Sequence, residues 1–413
     1  MKTSNMISCV TINTVIKGGY KMNYREESLK RHQALKGKVE MVSRAEIKSK
    51  DDLAVLYSPG VAEPCLEIEK NIELSYTYTR RHNTIAVITD GSAVLGLGNI
   101  GPEAGMPVME GKAILFKLLG GVDAIPLCIN SQDPDKIIET VKLLQGSFGG
   151  INLEDISAPR CFYIEQELKK VCDIPIFHDD QHGTAIVVGA ALTNALKLAN
   201  KKLDEIKLVI NGAGAAGTSI AHFLMSLGVT NMIVCDKKGI LTRGDENLSP
   251  NHQALAHLTN PHLEKGLLKD ALKDADVVIG VSVKGAITKE MVRSMNDKPI
   301  IFAMANPEGE ISPEDAYEAG AYIVGTGSSR YPNQINNLLA FPGIFRGTLD
   351  AHAKDITHDM MIAASIAIAS AIPDEELSTN NIIPNPLDPK VHEKVALAVK
   401  QKAIDTHVPK THQ

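Results

Sequence analysis

Two pairs of adjacent acidic residues have the type and spacing to bind a metal ion. Glu154 and Asp155 follow the apolar run GINL, and Asp179 and Asp180 follow the run IFH. Runs of this composition favour β-strands, and carboxylates gathered at neighbouring strand ends suit Mg²⁺ or Mn²⁺, which prefer oxygen ligands. Such pairs are equally typical of helix N-caps and solvated turns, so both interpretations stay open at this point.

Lys112 and Tyr57 are candidates for acid/base chemistry. Lys112 lies in the helix-like segment MEGKAILFK, and a lysine buried near carboxylates can act as a base if desolvation lowers its pKa enough. Tyr57 lies in LYSPGVAEPC just before a Pro-Gly turn, where a phenol could project into a cleft and deliver a proton. An ordinary surface lysine and a buried structural tyrosine are the alternatives.

A glycine-rich turn in the second half of the chain has the spacing of a dinucleotide site. The segment LVINGAGAAG places three glycines in the GxGxxG pattern, after an apolar strand and before a helix-like run. The first glycine permits the tight turn, the second lets the backbone approach a pyrophosphate, and the third lets the helix pack closely. The cofactor-binding residues predicted in this turn are Gly212, Gly214, Ala215, Ala216 and Gly217.

Two further residues are predicted at the cofactor. Asp236 ends the next strand, where a carboxylate could accept the ribose hydroxyls and would favour NAD by repelling a 2′-phosphate. Lys237 and Lys238 follow at once and could neutralise that phosphate, so NAD and NADP both remain open, with NAD slightly favoured. Asn306, in AMANP, is a predicted polar contact at the same sheet edge, with turn capping before Pro307 as the alternative.

Alternating strand-like and helical segments predict the elements that position these residues. One βαβ block starts at Thr84 and a second starts at Lys207, which favours an α/β fold with parallel sheets. The prediction is an N-terminal α/β substrate and metal domain, a Rossmann-type doubly wound parallel-sheet domain, and C-terminal helices. The predicted bounds are 22–181 for the first domain, 182–344 for the second, and 345–413 for the helices with a polar tail from about Ser378.

The first 21 residues are predicted to lie outside the native protein. The segment KGGYKM is one possible translation of a purine-rich ribosome-binding site followed by a start codon, which makes Met22 the expected start. Residues 1–21 are accordingly expected to be an extension without structure.

Composition narrows the classes of partner. The formal net charge of -6 lacks the basic excess that binds a phosphate backbone, which argues against nucleic acid as a partner. No apolar stretch reaches membrane-spanning length, and no signal peptide is evident. Six scattered cysteines without a CxxC pair are typical of reduced thiols. A cytoplasmic location is therefore expected.

In their sequences and in their order along the chain, these motifs resemble the malic enzyme family, specifically its short bacterial-type branch. The resemblance spans roughly residues 30–375. The matching stretches are YSPGVAEPC (57–65), VITDGSAVLGLGNIGPEAGMPVMEGKAILFK (87–117), INLEDI (151–156), IFHDDQHGTA (176–185), VINGAGAAG (209–217) and MANP (304–307).

The resemblance implies a role for each candidate residue. Tyr57 would be the general acid and Lys112 the general base, with Asp179 as the partner of Lys112. Asn306 and Asn337 resemble the amides that contact substrate, although the adjacent Asn336 leaves that register open. The implied metal ligands are Glu154, Asp155 and Asp180. Larger members of the family carry a substrate-binding arginine where this chain has Ala93, which leaves the distal carboxylate of the substrate to another basic residue, from this subunit or a neighbouring one.

The implied activity is oxidative decarboxylation of malate to pyruvate and CO₂, with NAD or NADP and Mg²⁺ or Mn²⁺ as cofactors. Two alternatives use the same scaffold: oxaloacetate decarboxylation without a redox step, and malolactic conversion, in which the hydride returns to pyruvate. The intact glycine-rich turn and Asp236 favour the redox enzyme. By resemblance, at least a homodimer is expected.

Overall fold

The computed structural model describes residues 23–94 and 96–408. By their internal contacts these residues divide into a short unit that ends at Glu40 and a larger unit that begins at Met41. The short unit holds helix α1, Tyr24–Leu35, which buries none of its residues and carries an Arg31–Glu27 ion pair of 2.6 Å on its surface. The proposed extension 1–21 and the Met22 start lie outside the described residues.

A four-stranded parallel sheet forms the first half of the larger unit. Its strands are β1 (Thr84–Thr89), β2 (Asp123–Cys128), β3 (Gly150–Leu153) and β4 (Ile176–His178), in the order β2-β1-β3-β4. Its helices are α2 (Lys50–Leu56), α3 (Ala62–Lys70), α4 (Ser75–Tyr78), α5 (Pro102–Gly120), α6 (Pro134–Leu144) and α7 (Arg160–Val171). Parallel neighbours require crossover connections, which α5, α6 and α7 provide.

A six-stranded sheet forms the second half, and helix α8 (Asp179–Ala199) leads into it. Its strands are β5 (Lys207–Asn211), β6 (Asn231–Asp236), β7 (Gly239–Ile240), β8 (Val277–Gly280), β9 (Ile300–Ala303) and β10 (Ile323–Thr326). Its helices are α9 (Ala215–Leu227), α10 (Pro250–Leu258), α11 (Leu268–Leu272), α12 (Lys289–Arg293) and α13 (Pro313–Glu318). The order β10-β9-β8-β5-β6-β7 is Rossmann-like and parallel except for β7. The predicted α/β fold is confirmed.

Three helices pack together at the C-terminal end of the larger unit: α14 (Phe341–Asp350), α15 (His358–Ala369) and α16 (Pro389–Asp405). The sequence interpretation of a polar tail from about Ser378 is wrong for α16. Val391, Val395 and Val399 recur every four residues and are buried, so this polar segment has an apolar face. Short 3₁₀ helices cover Ile72–Leu74, Arg80–Asn83, Gln145–Ser147, Asn337–Leu339 and Asp374–Glu376.

Within the described residues there is neither a disulfide nor a helix long and apolar enough to cross a membrane. Cys161, Cys172 and Cys235 are buried free thiols, and burial raises the pKa of each. Cys65 is exposed, so the thiols are not confined to the core.

Candidate active site

The carboxyl ends of β3 and β4 bring the two acidic pairs together. These strands are parallel neighbours, so Glu154 and Asp155 leave the sheet at the same edge as Asp179 and Asp180. Asp179 and Asp180 form the first turn of α8, where the helix dipole favours negative charge. The backbone N–H of Asp155 donates to Oδ2 of Asp180 at 2.8 Å, which joins the two pairs directly.

Three of these carboxylates have the arrangement of a metal site. Glu154, Asp155 and Asp180 each offer one oxygen, and these oxygens lie within 4.8 Å of one another. Burial raises the pKa of Glu154 to about 7 and that of Asp180 to about 6, and a neighbouring carboxylate adds to each shift. A hard divalent cation would offset this repulsion, so the donor set fits Mg²⁺ or Mn²⁺.

Lys112 lies within this acidic cluster. It projects from α5, and its Nζ is 2.6 Å from Oδ2 of Asp179 and 3.0 Å from Oε1 of Glu154. Nζ also lies 4.3 Å from the centre of the Phe341 ring, and the side chain is buried. Lys112 is therefore not the ordinary surface lysine that its type alone suggests.

The acidic surroundings reverse the expected shift of the Lys112 pKa. Burial by itself lowers this pKa, as the sequence interpretation required. The negative charges of Asp179 and Glu154 outweigh burial, however, and hold the pKa of Lys112 above its usual value. Lys112 is thus a stable ammonium while the carboxylate charge around it is uncompensated.

Tyr57 is not in contact with this cluster. It is the residue that follows α2, and it is 68% exposed. In the described part of the chain, no hydrogen bond joins its hydroxyl to Lys112 or to the carboxylates. Tyr57 is therefore not a buried structural tyrosine. Its phenol also does not project into a cleft in this structure.

The glycine-rich turn between β5 and α9 has the conformation that its sequence predicts. Gly212 has a φ of 125°, and a Cβ there would lie 2.6 Å from the carbonyl oxygen of Val281. A Cβ at Gly217 would lie 1.7 Å from the carbonyl oxygen of Gly212. At Gly214 a Cβ would meet no described atom within 4 Å. Ala215 and Ala216 begin α9, so the open side of the turn faces the helix N-terminus.

Asp236 ends β6 with part of its carboxylate already engaged. Its Oδ1 accepts the backbone N–H of Lys238 at 2.7 Å, and its Oδ2 lies 3.7 Å from Nδ1 of His252. Nε2 of His252 lies 3.1 Å from the carbonyl oxygen of Ala213 in the glycine-rich turn. No sequence motif indicates His252, because α10 reaches this position only through the tertiary fold.

Close contacts between loops place the edges of the two sheets side by side. A Cβ at Gly96, in the loop after β1, would lie 2.8 Å from the carbonyl oxygen of Asn306, which follows β9. A Cβ at Gly183 would lie 1.9 Å from Oδ1 of Asp179 and 3.1 Å from Cβ of Asn337. Asn306 therefore meets the first-sheet loops, and Asn337 lies beside Asp179.

The structure also distinguishes Asn337 from its neighbour. The side chain of Asn336 accepts the backbone N–H of Leu338 at 2.8 Å and caps the 3₁₀ helix that begins at Asn337. Asn336 thus has a structural partner, which favours Asn337 as the amide available to a ligand.

A buried lysine among carboxylates, beside a Rossmann-like sheet with an open glycine-rich turn, defines an α/β oxidoreductase of the dinucleotide-binding class. Residues 36–169 match the family described as malic enzyme, N-terminal domain, and residues 181–404 match malic enzyme, NAD binding domain. The chain belongs to the malic enzyme family.

Its relatives include enzymes with each nicotinamide cofactor. The bifunctional malic/malolactic enzyme of Bacillus subtilis (strain 168) is 56% identical, over 94% of this chain and 95% of the relative. The NAD-dependent malic enzyme of Geobacillus stearothermophilus is 51% identical, over 90% and 78%. The crystal structure of NAD-dependent malic enzyme from Thermotoga maritima has a TM-score of 0.88 and 50% identity, and covers 90% of this chain and 98% of its own. Other relatives are named NADP-dependent malic enzymes.

Proposed function

We propose that this chain oxidises and decarboxylates (S)-malate to pyruvate and CO₂, reducing NAD or NADP with Mg²⁺ or Mn²⁺ bound. One observation carries the proposal: Nζ of Lys112 lies 2.6 Å from Asp179 and 3.0 Å from Glu154, so a potential base and the metal carboxylates share one buried site. The contact between the Gly96 loop and Asn306 supports it, because it brings a loop of the first sheet against a loop of the six-stranded, Rossmann-like sheet.

Each step of the reaction has a candidate group in the chain. Lys112 takes the proton of the C2 hydroxyl, and Asp179 holds the amine in place. Tyr57 gives a proton to C3 after CO₂ leaves. Asn306 and Asn337 orient the substrate. When bound by Glu154, Asp155 and Asp180, the divalent ion supplies Lewis-acid polarisation of the C2 oxygen, and the nicotinamide supplies the hydride acceptor.

Charge compensation explains how Lys112 can serve as a base. Its pKa is held high by the surrounding carboxylates, so it must lose part of that influence before it can accept a proton. Glu154, Asp155 and Asp180 would hold a dication, which would offset part of this negative charge and so favour the neutral amine of Lys112.

A second candidate is malolactic conversion, which the name of the Bacillus subtilis relative favours. The product balance separates the two. Incubation with L-malate, Mn²⁺ and NAD is expected to give pyruvate and reduced nicotinamide in equal amounts. Lactate without accumulation of reduced nicotinamide would assign the chain to malolactic conversion instead.

The segment 41–72 supports the proposal that the chain forms at least a homodimer. Helices α2 and α3 bury none of their residues, and a group of exposed apolar side chains in one segment is typical of a protein interface. The most exposed apolar side chains of the segment are Met41, Val42, Ile47 and Val55. We propose that a second copy covers this surface and that Tyr57 enters an active site of the assembly. Sedimentation equilibrium should show a dimer or larger, and a monomer at assay concentration would contradict it.

Replacing Tyr57 by phenylalanine should slow the protonation of C3. The expected loss is about 10²-fold, at the low end of what a positioned acid contributes. The measurement is exchange of the pyruvate methyl hydrogens with deuterated solvent, followed by NMR with cofactor and Mn²⁺ present. Tyr78→Phe, at another exposed tyrosine of the same region, is the matched control and should exchange like the wild type. Equal exchange in Tyr57→Phe and Tyr78→Phe would remove Tyr57 from the mechanism.

Replacing Asp236 by serine should shift cofactor preference toward NADP. We propose NAD as the preferred cofactor because the Asp236 carboxylate ends β6 beside the glycine-rich turn and would repel a 2′-phosphate. Removing about 1.4 kcal/mol of repulsion changes the ratio of kcat/KM for NADP and NAD by about tenfold. Initial rates with each cofactor give this ratio. Glu246→Ser, at an exposed acidic residue of the same sheet domain, should leave it unchanged. An unchanged ratio in Asp236→Ser would refute the assignment.

A further inference from the structure

Glu310 carries a buried carboxylate that the proposed mechanism does not use. The residue follows β9 and is fully buried. Its Oε1 accepts the backbone N–H of Ser282 at 2.6 Å and the Ser282 hydroxyl at 3.1 Å, and its Oε2 accepts the backbone N–H of Ala305 at 3.1 Å. None of the ion pairs between described residues includes Glu310. Hydrogen bonds from two loops therefore take the place of a counterion.

The end of strand β8 is shaped to receive this carboxylate. A Cβ at Gly280 would lie 2.4 Å from Cδ of Glu310 and 2.7 Å from both of its carboxylate oxygens. Any side chain at Gly280 would therefore displace the carboxylate. The backbone on either side of Glu310 adds two further links, from Ile287 N–H to the Glu310 carbonyl at 3.1 Å and from Gly285 N–H to the Gly309 carbonyl at 3.4 Å.

The hydrogen bonds of Glu310 join the strand ends that flank the dinucleotide turn. Ser282 follows β8, and its Oγ accepts a hydrogen bond from Nδ2 of Asn211 at 2.8 Å. Asn211 is the residue before Gly212. Ala305 follows β9 and precedes Asn306. One carboxylate thus links the ends of β5, β8 and β9, and these carboxyl ends form the edge where open α/β sheets bind ligands.

We propose that Glu310 is a positioning residue that holds loops 281–285 and 304–307 in the conformation that receives the nicotinamide end of the cofactor and presents Asn306. The inference rests on the proposed function, since it assumes that this edge binds NAD or NADP. Glu310 acts through the backbone groups of Ser282 and Ala305. Its own carboxylate lies beneath the loops.

The test is NADH binding to the purified full-length protein, measured by fluorescence titration without malate or metal. In Glu310→Gln, one acceptor oxygen becomes an NH₂ donor that must face an N–H group, which breaks the link to one loop. A hydrogen bond to a charged group contributes enough that its loss should raise the Kd by about 10-fold or more. The KM for the oxidised cofactor should rise in parallel, while Mn²⁺ affinity stays unchanged.

Glu308→Gln is the matched control. Glu308 lies two residues away, and its exposed side chain pairs with Lys284 at 2.6 Å. Lys284 lies in loop 281–285, but an exposed ion pair contributes little to holding a loop, so this variant should bind NADH like the wild type. If Glu310→Gln also binds like the wild type, the positioning role is overturned. A fall in melting temperature without a change in Kd would leave Glu310 a merely structural residue and would overturn the proposal equally.

A milder variant keeps the inference testable if Glu310→Gln does not fold. Ser282→Ala removes one of the three donors to the carboxylate, together with the acceptor of Asn211 Nδ2, and leaves the carboxylate in place. It should raise the Kd for NADH by at least about 2- to 5-fold, the amount expected for one lost hydrogen bond. An unchanged Kd in Ser282→Ala would then overturn the proposal. Failure of the wild type to bind NADH or NADPH would instead count against the proposed function itself.

Discussion

Lys112→Ala is expected to lower kcat for malate oxidation by about 10²- to 10⁴-fold, the range that a positioned general base contributes. The amine that contacts Asp179 and Glu154 is then absent, and no other group takes the C2 hydroxyl proton in the proposed mechanism. Decarboxylation of oxaloacetate involves no such proton, so it should be impaired much less. Initial rates with both substrates, at saturating Mn²⁺, measure this difference.

Lys117→Ala is the matched control for this experiment. Lys117 lies on the same helix, α5, but its side chain is 58% exposed and pairs with Asp123 at 2.6 Å. Lys117→Ala should change neither the rate of malate oxidation nor that of oxaloacetate decarboxylation. Because Lys112→Ala leaves Asp179 and Glu154 without their buried cation, melting temperature should be measured alongside to show that the variant is folded. Full malate turnover in folded Lys112→Ala would contradict the assignment of the base.

Asp180→Asn is expected to weaken Mn²⁺ binding by at least about 10²-fold, since changes to groups that merely support metal ligands already cost about 10- to 100-fold. The substitution keeps the size of the side chain and removes one of the three carboxylates that lie within 4.8 Å of one another. Malate oxidation should fall correspondingly at limiting Mn²⁺ and recover in part when Mn²⁺ is raised. Isothermal titration calorimetry gives the affinity directly.

The control here is Glu167→Gln. Glu167 lies on α7, pairs with Lys170 at 2.6 Å, and is separate from the acidic cluster. It should bind Mn²⁺ like the wild type. Unaltered Mn²⁺ affinity in Asp180→Asn, or full activity of the wild type after chelation, would contradict the metal assignment.

The parts of this site that the sequence predicted are those fixed by local patterns. Short apolar runs ending in Glu154-Asp155 and Asp179-Asp180 are strands of one parallel sheet, so their carboxyl ends had to meet. The GxGxxG spacing likewise fixes the turn, because the φ of Gly212 and the contact at Gly217 each require glycine. Each of these features follows from a motif of a few residues together with the parallel pairing of the strands that carry it.

The parts that the sequence did not predict depend on contacts between distant segments. Strand β7 has two residues, too few for a hydrophobic pattern. The three buried valines of α16 lie within a segment that is mostly polar. Whether the pKa of Lys112 is raised or lowered depends on the carboxylates that surround the amine. The position of Lys112 on α5 does not show which carboxylates those are. The sequence around Glu310 is typical of a loop, and only the fold shows that its buried carboxylate lies against Gly280 at the end of β8.

The most direct test of the proposed function is an assay of the wild-type protein with L-malate and Mn²⁺, with NAD and NADP in separate reactions. Reduced nicotinamide is followed by its near-ultraviolet absorbance, and pyruvate is determined afterwards. We expect reduction, faster with NAD, with an equal amount of pyruvate and complete loss of both after chelation. Pyruvate formed from oxaloacetate without reduction of either cofactor by malate would contradict it and identify a metal-dependent decarboxylase on the same scaffold.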